Sequence, residues 1–147
     1  MDRIDKQIIQ VLMDDGRISN VELAEQVGLS PSACLRRVQE LERRQVILGY
    51  RARVNPEAMG RSFVAYTTVG LSDHSKRSQR QFEEAVRSAP EVVECHNTTG
   101  AFEFLLRIEV ADLAAYKAFH TDVLGTVAEV RSLTTYVVME SAKDQRA

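Results

Sequence analysis

The sequence predicts an α+β protein in which an N-terminal winged helix-turn-helix is joined to a C-terminal ferredoxin-like βαββαβ domain. Apolar residues before residue 45 recur three and four positions apart, which is typical of amphipathic helices. After residue 62, stretches rich in Val, Thr and aromatic residues alternate with helical stretches. Their order is strand, helix, strand, strand, helix, strand, which is the split βαβ arrangement.

The first predicted helix spans residues 2–13 and is followed by a turn sequence that ends in Gly16, a residue available for a left-handed helix cap. A second, short helix follows Ser19, because Ser19 and Glu22 have the spacing of a capping box, and this helix stops at Gly28. Four apolar residues are spaced for one buried face of the first helix: Ile4, Ile8, Val11 and Leu12.

The third predicted helix begins after Ser30, which is placed as an N-cap before Pro31, and it runs to about residue 44. Its predicted buried stripe consists of Cys34, Val38 and Leu41. Two helices joined through a tight turn that contains glycine, with the second helix longer and more basic, predict a helix-turn-helix.

The face opposite that stripe carries polar and basic residues, and a further arginine, Arg37, lies on its flank. Amphipathic surface helices often carry charges that are merely solvated, so this face alone does not establish DNA binding. Arg37 leaves two alternatives open, a contact with DNA or an ion pair with an acid of the first helices. The residues of the exposed face are Ser32, Arg36, Gln39 and Arg43.

Charge is distributed unevenly along the chain. Residues 1–54 hold nine basic and eight acidic residues, whereas residues 55–147 hold ten basic and thirteen acidic residues. Residues 34–54 contain six arginines and two glutamates, and this is where an electrostatic footprint for DNA is expected. The excess is modest, so we expect several copies to bind together.

Residues 46–54 have the β-branched and aromatic content of a strand, and we expect a small wing there with Arg51 and Arg53 near the DNA backbone. A hinge is predicted over residues 55–61, because Pro56 disfavours helix at Asn55. The domains are therefore expected at residues 1–54 and 62–140, with a tail at 141–147.

In the second domain, strands are predicted at residues 63–71, 92–97, 102–110 and 130–139, and helices at 79–88 and 113–124. The last helix is expected to begin after Asp112 and to bury Leu113, Tyr116, Val123 and either Phe119 or His120. Both helices cover one face of the sheet. The other face needs a cover, and a self-complementary dimer is the simplest one.

Several classes of function are disfavoured by the composition. No apolar run is long enough for a transmembrane helix and the N-terminus lacks the pattern of a signal peptide, so a cytoplasmic protein is expected. If the basic segment binds DNA, the protein is expected to be associated with the nucleoid. Cys34 and Cys95 are expected to be reduced thiols, and Cys95 to be buried beside an ordinary polar His96. No metal site, cofactor or catalytic constellation is predicted, so the protein is not expected to be an enzyme.

Motifs spread over nearly the whole chain carry a family resemblance. They are Asp2-Arg-Ile-Asp5, residues 15–23, Gly28-Leu-Ser-Pro31, Arg37-Val38, Leu41-Glu42, Gly49-Tyr50, Glu94-Cys-His96, Gly100 and residues 135–140. In these motifs the sequence resembles the Lrp/AsnC, or feast/famine, family of transcriptional regulators. The resemblance implies a helix-turn-helix joined to a domain that dimerises, assembles into octamers or similar rings, and binds small effectors, usually amino acids, between subunits.

The resemblance implies two sets of site residues. The DNA-binding set lies on the third helix and consists of Ser30, Ser32, Arg36, Arg37, Gln39 and Arg43. The effector-binding set is built around the loop that enters the third strand and consists of Thr98, Thr99, Gly100, Ala101, Glu103 and Thr134.

The effector loop departs from the family pattern. Close relatives often read Gly-Asp-X-Asp, whereas this chain has Ala101 and Glu103 in place of the two aspartates, which alters the electrostatics available to an effector's ammonium group. Gly100 either lets an effector carboxylate approach backbone N–H groups, the favoured interpretation, or only supplies a turn.

The predicted function is therefore that of a sequence-specific DNA-binding regulator, homodimeric or assembled further, which binds double-stranded DNA and is modulated by an amino acid between subunits. An effector-independent, nucleoid-organising protein that bridges DNA is the alternative, and Ala101 and Glu103 keep it open. An allosteric subunit of an amino-acid enzyme would leave the basic segment 34–54 unexplained.

Overall fold

The computed structural model describes residues 1–144. The chain forms two compact units, which divide between Ala52 and Arg53. The sequence placed the boundary two residues later, at the start of the hinge over residues 55–61. In the structure, residues 56–60 of that segment form a turn, in which the backbone N–H of Arg61 donates to the carbonyl of Pro56 at 2.8 Å.

The N-terminal unit consists of three helices, α1 (Arg3–Asp14), α2 (Asn20–Val27) and α3 (Pro31–Arg43). The predicted face of α1 is confirmed, since Ile8 is fully buried and its three neighbours on that face are half-buried against the same core. The predicted stripe of α3 is confirmed too, with Val38 half-buried. The buried core of this unit consists of Ile8, Leu23, Ala24, Val27, Cys34 and Leu41.

Local side-chain bonds start each helix. The capping box of Ser19 and Glu22 forms as predicted, and Ser30 accepts the backbone N–H of Ala33 at 3.3 Å. A capping box at the start of α1, between Asp2 and Asp5, was not predicted.

The two glycines after helices behave differently. Gly28 ends α2 in the left-handed conformation, with φ of 70°. The predicted glycine cap at Gly16 is wrong, because Gly16 does not adopt a positive φ. The chain instead leaves α1 through Asp15, whose backbone is extended and whose carboxylate accepts the N–H of Arg17 at 2.8 Å. This turn, which is held by the Asp15 side chain, ends α1 in place of the predicted glycine cap.

The predicted wing strand is also wrong, since residues 46–54 form no strand. The N–H groups of Val46 and Ile47 both donate to the carbonyl of Leu41, and Gln45 adopts a positive φ of 57°. The three-helix unit offers no strand edge with which this segment can pair, so its β-branched residues have no sheet to join. Ile47 packs on the helical core, whereas Leu48 is 84% exposed.

The C-terminal unit has the predicted ferredoxin-like architecture. Its elements are β1 (Phe63–Leu71), α4 (Lys76–Arg87), β2 (Val92–Asn97), β3 (Phe104–Val110), α5 (Leu113–Asp122), a 3₁₀ turn (Leu124–Thr126) and β4 (Val130–Val137). The sheet is antiparallel in the order β2-β3-β1-β4, and both helices pack on one face through the buried cluster that contains Phe82, Phe104 and Phe119.

The bounds of β1 and β2 are confirmed, and the others shift for local reasons. Helix α4 begins three residues earlier than predicted, because Ser75 caps it by accepting the N–H of Ser78 at 3.2 Å. Strand β3 starts at Phe104 because residues 98–103 form the turn between β2 and β3. Helix α5 ends at Asp122, where the chain tightens into the 3₁₀ turn, and β4 ends at Val137.

One predicted core residue of α5 is exposed. Asp112 caps the helix as predicted, and Tyr116 and Phe119 are buried. Leu113 is 63% exposed, which corrects the prediction. It is the first residue of the helix, and the buried face is formed from Tyr116 onward.

The face of the sheet without helices, here called the open face, is polar at its centre. Arg107 lies there with its side chain only 7% exposed. It donates to Glu109 at 2.8 Å and to the Tyr66 hydroxyl at 2.9 Å, and it pairs with Asp144 at 3.1 Å. Asp144 of the predicted tail therefore reaches the open face, and residues 145–147 of that tail lie outside the described residues. None of the helices within residues 1–144 is long and apolar enough to cross a membrane.

Candidate nucleic-acid interface and effector loop

Helix α3 presents one continuous exposed face. At 100° per residue, Ser32, Arg36, Gln39 and Arg43 fall within about 60° of one another. All four are exposed, opposite the buried residues of the same helix. The start of α3 is fixed by its Ser30 cap and by a bond that the sequence did not predict, in which Asn20 of α2 donates to the carbonyl of Pro31 at 2.8 Å.

Arg36 lies on this face without an ion pair to any residue that the structure describes. Ser32 lies near it at the start of the helix, with its hydroxyl 3.3 Å from that of Ser30. An arginine held on a helix with its guanidinium free can donate two parallel bonds to guanine or neutralise a phosphate.

Arg43 is occupied by its neighbour Glu40. The guanidinium donates twice, from Nε at 2.8 Å and from a terminal nitrogen at 2.6 Å, and both side chains are exposed. The hydrogen bond from Arg43 lowers the pKa of Glu40, and the same bond raises the pKa of Arg43. Exposed pairs contribute little free energy, so this one can open when a phosphate approaches.

Arg37 takes the ion-pair alternative that the sequence left open. One of its terminal nitrogens lies 2.8 Å from a carboxylate oxygen of Asp2 and 2.7 Å from one of Asp5. The pKa of Asp2 is lowered, first by the backbone N–H of Asp5 and then by the hydrogen bond from Arg37. Hydrogen bonds to Asp2 and Asp5 raise the pKa of Arg37.

The predicted effector loop, residues 98–103, is the tight turn between β2 and β3. The N–H of Thr98 donates to the carbonyl of Glu103 at 2.8 Å, and the Thr98 hydroxyl donates to that of Phe102 at 3.2 Å. Gly100 has a φ of 122°, a conformation that favours glycine. Thr99, Gly100 and Ala101 are exposed at the tip of the turn.

Glu103 is turned inward from that loop. One carboxylate oxygen accepts the backbone N–H of Leu71 at 2.7 Å, and the other lies 2.6 Å from Nδ1 of His74. The Glu103 side chain is 12% exposed, whereas that of His74 is 86% exposed. Both oxygens are therefore engaged by groups of the same unit. No sequence pattern links His74 or Leu71 to Glu103, so this contact could not be predicted.

Thr134 belongs to β4 and pairs with Thr68 of β1. Two positions away along the same pair of strands, Ser132 pairs with Gly70. A Cβ atom at Gly70 would lie 2.4 Å from the Ser132 hydroxyl and 3.8 Å from the Glu103 carboxylate. The structure thus places Glu103 beside the row that contains Ser132 and Thr134, and Gly70 leaves room for this approach.

Cys95 is exposed on the edge strand β2, which corrects the prediction that it is buried. Its backbone pairs with Leu106 of β3, but no strand within residues 1–144 lies on its other side. Desolvation by surrounding atoms still raises the pKa of its thiol to about 11, with a smaller contribution from Glu83. A thiol that stays protonated at neutral pH is a poor nucleophile and a poor metal ligand.

Two family models account for nearly the whole chain. The AsnC-type helix-turn-helix domain matches residues 1–42, and the Lrp/AsnC ligand binding domain matches residues 64–147. The chain belongs to the Lrp/AsnC family. It is a transcriptional regulator with a helix-turn-helix DNA-binding domain and a ligand-binding domain, as the sequence predicted.

Individual relatives agree with this membership in the Lrp/AsnC family. The leucine-responsive regulatory protein of Escherichia coli K12 is 42% identical over 143 residues, which cover 97% of this chain and 87% of that protein. A transcriptional regulator of Neisseria meningitidis, solved in complex with L-methionine, is 35% identical with a TM-score of 0.93 and coverage of 98% and 93%. An AsnC family regulator from Agrobacterium tumefaciens is 33% identical with a TM-score of 0.93 and coverage of 100% and 95%.

Proposed function

We propose that this chain is an oligomeric regulator that binds operator DNA through the exposed face of α3 and changes its binding when an amino acid occupies the effector loop between subunits. The observation that carries the proposal is the capped, basic face of α3, on which Arg36 is exposed and free of ion pairs within residues 1–144. The proposed contacts on this face are Ser30, Ser32, Arg36, Gln39 and Arg43.

In this proposal α3 enters the major groove, where Arg36 and Gln39 meet base edges and Arg43 exchanges Glu40 for a phosphate. The Ser30 and Ser32 hydroxyls lie at the N-terminus of α3, where the positive end of the helix dipole favours a phosphate. The charge of one copy is small, so tight binding requires two or more copies on one operator.

Titration of DNA affinity against salt tests this interface. Arg36→Ala is expected to weaken operator binding about tenfold, since one good base contact is worth about 1–3 kcal/mol. Arg80→Ala removes the same charge from an exposed position on α4 and is expected to leave affinity unchanged. Equal effects of the two variants, or none from either, would rule out the α3 face as the reader.

The second copy is proposed to cover the open face of the sheet. This face carries Tyr136, which is 59% exposed, beside Tyr66 and Thr68 of β1. Tyr136→Glu is expected to shift the protein toward monomer in analytical ultracentrifugation. Leu113→Glu, a matched change at a 63% exposed residue of α5, is expected to leave the dimer intact. The opposite pattern would place the dimer contact on the helices.

The effector is proposed to be an amino acid held near residues 98–103 and Thr134. The support comes from similar proteins, since the Neisseria meningitidis regulator and a feast or famine regulatory protein of M. tuberculosis, 32% identical, were each solved with L-methionine. Calorimetry against the twenty amino acids tests it. Absence of heat, together with an unchanged oligomer size, would count against effector sensing.

An effector-independent role as a nucleoid-organising, DNA-bridging protein is the second candidate. It is favoured by the engaged carboxylate of Glu103 and by Ala101, which leave the loop with fewer free negative charges for an ammonium group. This candidate predicts DNA binding with no sequence preference at any salt concentration and no response to amino acids. Either candidate places the protein on DNA in the cytoplasm.

A further inference from the structure

We propose that Arg37 is a positioning residue, which holds the recognition helix α3 against the start of α1 and does not contact DNA. This inference rests on the proposed DNA-binding role of α3. It assigns a role to the Asp2-Arg-Ile-Asp5 motif, which the proposed function leaves unused.

The contacts of Arg37 connect helix α3 to the capping box at the start of α1. Asp2 accepts the N–H of Asp5 at 2.9 Å through one oxygen, and Asp5 accepts the N–H of Asp2 at 3.1 Å. Each carboxylate uses its other oxygen for Arg37, at 2.8 and 2.7 Å. The capping box that starts α1 therefore also forms the receptor for an arginine 32 positions farther along the chain.

The position of Arg37 on its helix also separates it from the DNA face. It follows Arg36 by one residue, which rotates it by about 100°, and it lies only about 40° from the buried Leu41. Its side chain is 34% exposed, and that of its partner Asp5 is 13% exposed. Arg36 therefore belongs to the exposed face of α3, whereas Arg37 lies on the flank that contacts α1.

Charge argues in the same direction. Two carboxylates surround one guanidinium, so the cluster carries a net charge of minus one and repels an approaching phosphate. A base reader must also be held within a fraction of an ångström, which requires support from neighbouring helices. The ion pairs of Arg37 supply a directional, hydrogen-bonded link between α1 and α3, beside the apolar contacts of the core.

The sharpest test is Asp5→Asn, because the two roles predict changes of opposite sign. If Arg37 contacts DNA, removal of a competing negative charge frees it and tightens binding. If Arg37 positions α3, the same change loosens the helix and weakens binding. We expect weakening of at least about fivefold, the size of one lost base contact. Glu22→Gln removes the same charge from the capping box of α2 and is expected not to weaken binding.

Arg37→Gln completes the experiment on the full chain. We expect it to weaken operator binding as much as Asp5→Asn, the double variant to be no weaker than either, and the slope of log affinity against log salt to stay at the wild-type value. Arg43→Ala provides the contrasting result, because Arg43 is the residue proposed to meet a phosphate, and its loss is expected to reduce the magnitude of the slope by about 0.9. If Arg37→Gln does not fold, Asp5→Asn alone decides by its sign.

The outcomes separate this inference from the function on which it rests. A slope reduced by Arg37→Gln, or tighter binding by Asp5→Asn, overturns the positioning role while Arg36→Ala still supports the α3 interface. If Arg36→Ala does not change operator affinity, the α3 interface and the positioning role are both overturned.

Discussion

The carboxylate of Glu103 lies 2.6 Å from the ring of His74, and this contact ties the turn between β2 and β3 to the loop that precedes α4. The other carboxylate oxygen accepts the N–H of Leu71, the last residue of β1. A residue that the family resemblance assigns to effector binding therefore also connects three segments of its own unit. Any ammonium group that binds Glu103 has to compete with His74.

Loss of this carboxylate is expected to destabilise the C-terminal unit. Glu103→Ala leaves the Leu71 N–H unpaired, and a hydrogen bond to a charged group contributes about 1.5–3 kcal/mol. Glu103→Gln keeps an acceptor and is expected to cost less. Urea denaturation measures both, with Glu84→Ala as the control, because Glu84 is 78% exposed and its nearest basic partner lies 3.8 Å away. Equal stability of Glu103→Ala and wild type would show that the contacts of this carboxylate do not stabilise the unit.

Acid is expected to destabilise the N-terminal unit through Glu22. Hydrogen bonds from the Ser19 side chain and backbone lower the pKa of Glu22 below its ordinary value of 4.5. Because the folded-state pKa is the lower one, the stabilisation is present above the ordinary value and disappears as pH falls through the folded value. Thermal unfolding from pH 7 to pH 3 measures this.

Glu22→Gln isolates that contribution. The variant cannot titrate at this position, so its stability is expected to fall less steeply with acid than that of the wild type. Asp2, whose pKa is also lowered, remains in both proteins and serves as the internal reference. Parallel pH profiles for the two proteins would show that Glu22 does not contribute.

The sequence predicted those parts of the fold that local chemistry determines. Three helix starts were predicted correctly because the capping partners lie within three residues of each other. They are marked by Ser19 with Glu22, by Ser30 with Pro31, and by Asp112. The Val, Thr and aromatic content of residues 63–71 likewise identifies β1, because these residue types favour a strand wherever a sheet is available.

Other features depend on partners that are distant in sequence. The wing at residues 46–54 failed because strand content does not reveal whether an edge is available for pairing. Arg37 and Glu103 were both predicted to be site residues, but their partners Asp5 and His74 lie 32 and 29 positions away. For such residues the sequence predicts the type of side chain and the helix or loop that carries it. The contact partner is known only once the elements pack together in the fold.

A buried hydroxyl cluster is expected to stabilise the sheet against α5. The Tyr116 hydroxyl bonds that of Thr67, which is fully buried, at 3.0 Å, and it also bonds that of Thr135. Tyr116→Phe is expected to cost about 1 kcal/mol, because the Thr67 hydroxyl loses its closest partner. Denaturant unfolding measures it, with Tyr136→Phe as the exposed control. A cost below that of the control would show that the cluster does not stabilise the unit.

The turns after α1 and α2 depend on glycine at only one of the two places where the sequence suggested it. Gly28 has a φ of 70°, and an added Cβ atom there meets nothing within 4 Å, so Gly28→Ala introduces backbone strain without a clash. A left-handed backbone costs an alanine about 1–2 kcal/mol. Gly16→Ala is the matched control, because its Cβ atom would meet only ordinary contacts at 3.7 Å. Unfolding of the N-terminal unit, followed by circular dichroism, is expected to show that cost for Gly28→Ala and almost none for Gly16→Ala. Gly28→Ala is also expected to lower DNA affinity, because Gly28 sets the direction of α3 relative to α2. Equal stability of the two variants would mean that the turn relaxes to a conformation open to any residue.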